Sequence, residues 1–139
     1  PKEMPASIPS YNPRTSEILP SNSVYPVAVT NISSSGTTVF TVPDNEYWQI
    51  KGFSAFNTDA AVSDSLTVHF VQSGGTAGVG NSVLRVTLTG YESVRLTQLE
   101  DIVLSGGDFA RMFSVNDDIN ISCGIVRYFR GNGGQSWVF

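Results

Sequence analysis

The stretch VPDNEYWQIKGFSAFN, residues 42–57, decides the fold. Pro43-Asp44-Asn45 is turn chemistry, with proline fixing φ and the two side chains able to close on the backbone. It feeds a long run in which Trp48 and Ile50 share a face. Phe53 and Ala55 join that face only if one residue bulges at Gly52, where a missing Cβ lets the backbone kink. Phe56 lies near the end of the run. The stretch therefore reads as the central strand of a β-sandwich. A similar slip is expected at Gly124, where the last strand passes from Cys123 to Val126 and Tyr128.

Outward from that strand the pattern is strands and turns, with no 3.6-residue periodicity long enough for an ordinary helix. Strands are predicted over 27–32, 37–42, 46–57, 65–72, 82–89, 92–98, 100–105, 109–115 and 118–129. Turn clusters at Ser33-Ser34-Ser35-Gly36, Thr58-Asp59, Ser73 to Gly80, Gly90, Gly106-Gly107-Asp108 and Asn116-Asp117 separate them. Alternation assigns inward faces to Leu66, Val68 and Phe70, to Leu84, Val86 and Leu88, to Val94 and Leu96, and to Ile119, Ile121 and Cys123. Thr67, His69 and Val71 fall on the other face. The class is all-β, a jelly-roll-like β-sandwich with an extended N-terminal arm.

A chain of 139 residues with 40% hydrophobic content supports one core and one domain. Three pieces are expected: a Pro-rich arm over 1–26, the sandwich over 27–130, and a Gly hinge with an apolar tail over 131–139. The arm holds six of the seven prolines, which forbid a helix or central strand between them. Ile8, Tyr11, Ile18, Leu19 and Tyr25 recur along it as in a segment that docks on a neighbour. The tail ends in Trp137-Val138-Phe139, side chains costly to leave in water, so it too is expected to dock. These positions, Trp137 and Phe139 included, are the candidate partner-binding residues.

Charge excludes some classes. The formal net charge is −4, with six scattered arginines and two lysines, so no basic stripe answers a phosphate backbone and direct nucleic-acid binding is not expected. Charged residues make up only 14%, below the roughly one quarter usual for soluble domains, which points to surface covered by other subunits. No apolar run reaches the ~18 residues of a membrane helix, and no charged region precedes an apolar core near the first residues, so neither a membrane nor standard export is expected. One cysteine, Cys123, excludes an intrachain disulfide.

Candidate chemistry is sparse, and the chain is not expected to be an enzyme or to carry a cofactor or metal. His69 has no His, Asp or Glu at i±2 and reads as a surface or interface histidine. Cys123, among isoleucines and without a neighbouring base, reads as an inert core thiol. The run Gly74-Gly75-Thr76-Ala77-Gly78-Val79-Gly80 is followed by a strand rather than a helix and lacks Lys-Ser/Thr, so it is a mobile hairpin loop or a distal recognition tip, not a phosphate loop. Asp108, Asn116, Asp117 and Asp118 lack calcium-loop spacing and read as turn formers. Glu100 and Asp101, adjacent on a strand, would face opposite sides.

Taken together, the Pro43 turn, the Trp48 strand and the segment from Gly106-Gly107-Asp108 to Val115-Asn116-Asp117 have a likeness. Residues 27–130 resemble the jelly-roll head decoration, or cement, proteins of tailed phages. The resemblance implies a structural virion protein: a homotrimer on the capsid surface, made in the host cytoplasm, whose arms staple the major capsid protein. Two other readings stand beside it. One is a phage fibre, spike or baseplate component that binds a receptor through loops at one end. The other is a carbohydrate-binding module using exposed aromatics such as Tyr91 or Tyr47.

Overall fold

The computed structural model describes residues 24–129. Among the described residues nine strands follow in chain order: β1 (Tyr25–Val29), β2 (Thr37–Thr41), β3 (Glu46–Asn57), β4 (Asp64–Val71), β5 (Ser82–Leu88), β6 (Ser93–Arg95), β7 (Val103–Ser105), β8 (Phe109–Ser114) and β9 (Ile119–Phe129). One sheet has the order β1-β9-β3-β6, with β7 on the same edge of β3 as β6; the other has the order β2-β8-β4-β5. All pairings are antiparallel. This interleaving of early and late strands is a jelly roll, the all-β sandwich that the alternation predicted.

β3 is central, as its composition demanded. β9 runs along one side, while β6 pairs with Ser54–Phe56 and β7 with Tyr47–Gln49 on the other. Between β6 and β7 the chain still bonds to β3, through the Leu96 N–H to the Phe53 carbonyl and the Asp101 N–H to the Ile50 carbonyl. The predicted bulge is present: Gly52 pairs with Gly124 and Ile50 with Ile125, leaving Lys51 unmatched. Trp48, Ile50, Phe53 and Ala55 consequently all point inward and are buried. Burial of Ile50 and Phe53 contributes about 1.5–3 kcal/mol each.

Several local expectations are corrected. β9 has no second slip at Gly124: Ile119, Ile121, Cys123 and Ile125 stay on one inward row, and the single extra residue in β3 accounts for the shift. The span 92–98 holds only the short β6, followed by a 3-10 turn at Thr97–Leu99, and 100–105 narrows to β7. The reason is steric: Leu96 and Leu99 both turn into the core, which a flat strand with period 2 forbids. β1 starts at Tyr25, so Pro26 lies in a strand; as an edge strand β1 tolerates the missing N–H.

The core lies between the sheets, built from Leu66, Val68, Leu88, Ala110 and Met112 on one side and the β3 and β9 rows on the other. Three of the buried polar side chains, Asn57, Asp64 and Ser114, are tied to backbone. Asn57, fully buried, donates to the carbonyls of Val62, Leu88 and Thr89 and accepts from Asp59 N–H, bridging the two sheets at one end. Asp64 accepts the N–H groups of Ser65, Val115, Asn116 and Asp118.

Candidate docking surfaces

The antiparallel pairing of β1 with β9 sets Tyr25 against Ile125, so the described chain begins and ends at the same end of the sandwich. Strand parity puts Tyr25 of β1, Arg127 and Phe129 of β9, and Glu46 and Trp48 of β3 on the inward side of this rim. Arg127 sits among the rings, its guanidinium carbon 5.1 Å from the Tyr25 centroid, 5.7 Å from Trp48 and 5.5 Å from Phe129. Tyr25 and Trp48 meet edge to face at 5.7 Å, and Phe40 closes on Trp48 at 5.4 Å.

The charge is neutralised locally. Arg127 donates to both Glu46 oxygens at 2.9 and 3.0 Å, and Trp48 Nε1–H donates to Glu46 at 2.8 Å. Burial alone pushes the Glu46 carboxyl up; the bonds from Arg127 and Trp48 and the Arg127 charge outweigh it and hold the group below its ordinary value. Around this pair Tyr25 and Phe129 remain 46% and 55% exposed. Tyr47 and Tyr128, direct partners on the outer face of the same rim, are also exposed.

Of the candidate partner-binding residues, Tyr25 belongs to this rim. Ile8, Tyr11, Ile18, Leu19, Trp137 and Phe139 lie outside the described residues. Sequence reasoning missed Arg127, Glu46 and Phe129. A signal existed: Arg127 falls on the inward parity of the Ile119–Ile125 row and Glu46 on that of Trp48, so opposite charges were aimed inward at one strand end.

The Gly-rich loop is the expected hairpin connection, joining the antiparallel pair β4 and β5, but it does not project as a tip. It leaves β4 at the rim end, where Ser73 N–H reaches Asp108, and folds back over the outer face of its own sheet. Asn81 pins it, accepting from Gly78 N–H at 2.9 Å and donating to the Thr76 carbonyl at 2.8 Å. His69 is therefore buried rather than on the surface, with Nδ1 3.0 Å from Asn81 Oδ1 and Phe113 edge-on at 5.4 Å. Val71 is buried for the same reason, beneath Gly75.

The remaining chemistry-bearing residues are engaged structurally. Burial pushes the Cys123 thiol up to about 12. Glu100 and Asp101 stand in a turn instead of a strand and serve different partners, Arg95 and Lys51. Asp108 caps its own turn through Ser105 N–H, and Asp117 accepts Ser34 N–H. Among the described residues no three His, Cys, Asp or Glu side chains are placed to share a metal ion, and no helix is long and apolar enough to cross a membrane.

Comparison with known proteins adds little beyond this geometry. No protein-family model matches the chain. No curated protein shows significant sequence similarity. A solved chain from Bacillus endospore appendages, described as a novel family of disulfide-linked pili, is similar at 13% identity, with a TM-score of 0.45 over 78% of this chain and 87% of that one.

The other end of the sandwich carries a second surface. Phe56, last but one in β3, lies with its ring 6° from parallel to that of Tyr91, centroids 6.3 Å apart. Beside Phe56 the outer face of β1-β9-β3-β6 forms a shallow depression of about 360 Å³ lined by Ser54, Ser93, Asn120 and Ser122.

Proposed function

We propose that this chain is a structural, non-enzymatic assembly protein that docks on neighbouring protein subunits through its aromatic rim and terminal segments, in the manner of a phage capsid decoration protein. The observation that carries the reading is the rim itself: both ends of the described chain meet there, beside Tyr25 and Phe129, which stay half exposed around a neutralised ion pair. The chain enters and leaves the described residues at this one rim, and contacts with one neighbour made from both sides of it would be linked, raising avidity through effective concentration. The partners in this reading are the major capsid protein and further copies of the chain in a homotrimer, and its location is the virion surface. A protein that binds only the assembled lattice stabilises it by mass action.

The test compares the full chain with a chain trimmed to residues 24–129, by light scattering and by co-sedimentation with tailed-phage shells that lack their surface protein. The full chain is expected to form a trimer and to sediment with shells; the trimmed chain is expected to lose both. A full chain that stays monomeric and leaves shells bare overturns the proposal.

A further inference from the structure

We infer that the end of the sandwich remote from the rim is a binding site for neutral oligosaccharide, with the Phe56–Tyr91 ring pair as its platform. The position follows from β3 itself: Tyr47 on the rim and Phe56 are nine residues apart along one strand, roughly 30 Å at 3.3 Å per residue. A subunit held by the rim presents this face outward.

The ring pair has the form of a platform. The two rings are stacked 6° from parallel with centroids 6.3 Å apart, and both keep ring surface open to solvent. Tyr91 is 64% exposed and Phe56 37%. A solvent-exposed aromatic surface of this width matches the apolar C–H face of a pyranose, while the hydroxyl rim of the sugar needs polar partners nearby. The adjoining depression supplies them. Its lining is mainly apolar, with Val29 and Ile121 among it, but Thr30, Ser54, Ser93, Asn120 and Ser122 set hydroxyl and amide groups into it, and no charged side chain lines it. The Ser93 and Ser122 hydroxyls make no hydrogen bond within the described residues. An uncharged, hydroxyl-bearing groove selects an uncharged polyol over an acidic glycan, an anion or a lipid headgroup.

The platform is also held in place before any ligand arrives. Tyr91 has φ of +57°, a left-handed conformation that a bulky residue adopts only where its surroundings enforce it. Tyr91 N–H bonds the Asp59 carbonyl at 2.8 Å, Asn57 N–H bonds the Glu92 carbonyl at 2.9 Å, and Glu92 turns back to Thr89 N–H at 2.7 Å. Gly90 packs so closely on the Ala60 backbone that no side chain fits. The turn backbone that carries Tyr91 is thus set before any ligand arrives, so ordering it costs little entropy on binding.

The experiment is a ¹H–¹⁵N NMR titration of the full chain with maltohexaose, cellohexaose and mannohexaose, with sialylated and sulfated oligosaccharides as charged arms. At least one neutral hexasaccharide is expected to bind with a Kd of about 1 mM or tighter, shifting amides around Phe56, Tyr91, Ser93 and Ser122. Tyr91→Gly removes the ring and relieves the backbone, so it is expected to weaken binding at least tenfold while leaving the melting temperature unchanged or raised. Phe56→Ser, at an exposed position, is expected to weaken it similarly. No neutral saccharide shifting these amides, binding confined to the charged arms, or a Tyr91→Gly variant that changes the oligomeric mass with saccharide binding intact overturns the inference.

Discussion

Arg127 and Glu46 meet across adjacent strands in a two-point ion pair, Nε to Oε1 at 2.9 Å and Nη2 to Oε2 at 3.0 Å, on the inward side of the sandwich rim. The carboxylate side is almost closed off, with 6% of the Glu46 side chain exposed, whereas 27% of Arg127 stays open. Removing either partner leaves the other facing rings. Arg127→Met and Glu46→Gln are each expected to lower stability by roughly 2 kcal/mol, and the double variant to lose less than the sum. Urea melts of the four proteins read this directly; additive losses would show that the pair is not coupled.

The same pair sets an acid dependence. The folded chain binds the Glu46 proton less readily than the unfolded chain, whose value is the ordinary one, 4.5. Stability from this group is therefore complete above that pH and is lost as pH falls through the lower, folded value. The stability gap between the natural chain and Glu46→Gln is expected to be wide at pH 7 and to narrow at pH 3. A gap that does not change with pH would contradict the sign.

Asp64 holds the turn before β9 closed. Its two oxygens accept four backbone N–H groups, three of them from Val115, Asn116 and Asp118, and the residue is 2% exposed. Asp64→Ala strands these donors and is expected to cost about 3 kcal/mol, more than any single substitution at Asp117. Hydrogen exchange at Val115 and Asn116 should accelerate in step.

Glycine positions separate by what lies behind them. A Cβ at Gly106 collides with the Asp44 backbone carbonyl, while one at Gly80 meets nothing within 4 Å. Gly106→Ala is expected to lower the melting point sharply, and Gly80→Ala to stay within about 0.5 kcal/mol of the natural chain. Equal effects would mean that the Pro43 turn and the Gly106 turn do not touch.

Cys123 tests the core in another way. With its thiol pushed up to about 12 and its side chain among isoleucines, it is expected to resist a maleimide at pH 7.5 in the folded chain and to react on addition of denaturant. Rapid labelling of the folded protein would place it elsewhere.

Much of the fold was readable from the residues alone. Alternation in β4, β5 and β9, the turn at Pro43 and the glycine kink at Gly52 were enough for an all-β sandwich with β3 at its centre, because burial on one face of a strand is written with period 2. The inertness of Cys123 was legible for a related reason, since its neighbours share its parity. What alternation does not encode is which loop covers which face. His69 and Val71 carried outward parity and are buried, because the 73–80 loop folds back over them and Asn81 pins it there.

The candidate docking surfaces divide along the same line. Tyr25 was legible as an apolar residue beside prolines, but Arg127, Glu46 and Phe129 come together with it only once β1, β9 and β3 lie side by side. The sequence by itself determined the strands, the core faces and the shortage of charge, which are properties of neighbouring residues. Only the tertiary structure decided that both ends of the described chain share one rim and that Phe56 and Tyr91 lie together at the opposite end. Those are contacts between segments tens of residues apart, set by the jelly-roll order of the strands, and no local pattern carries that order.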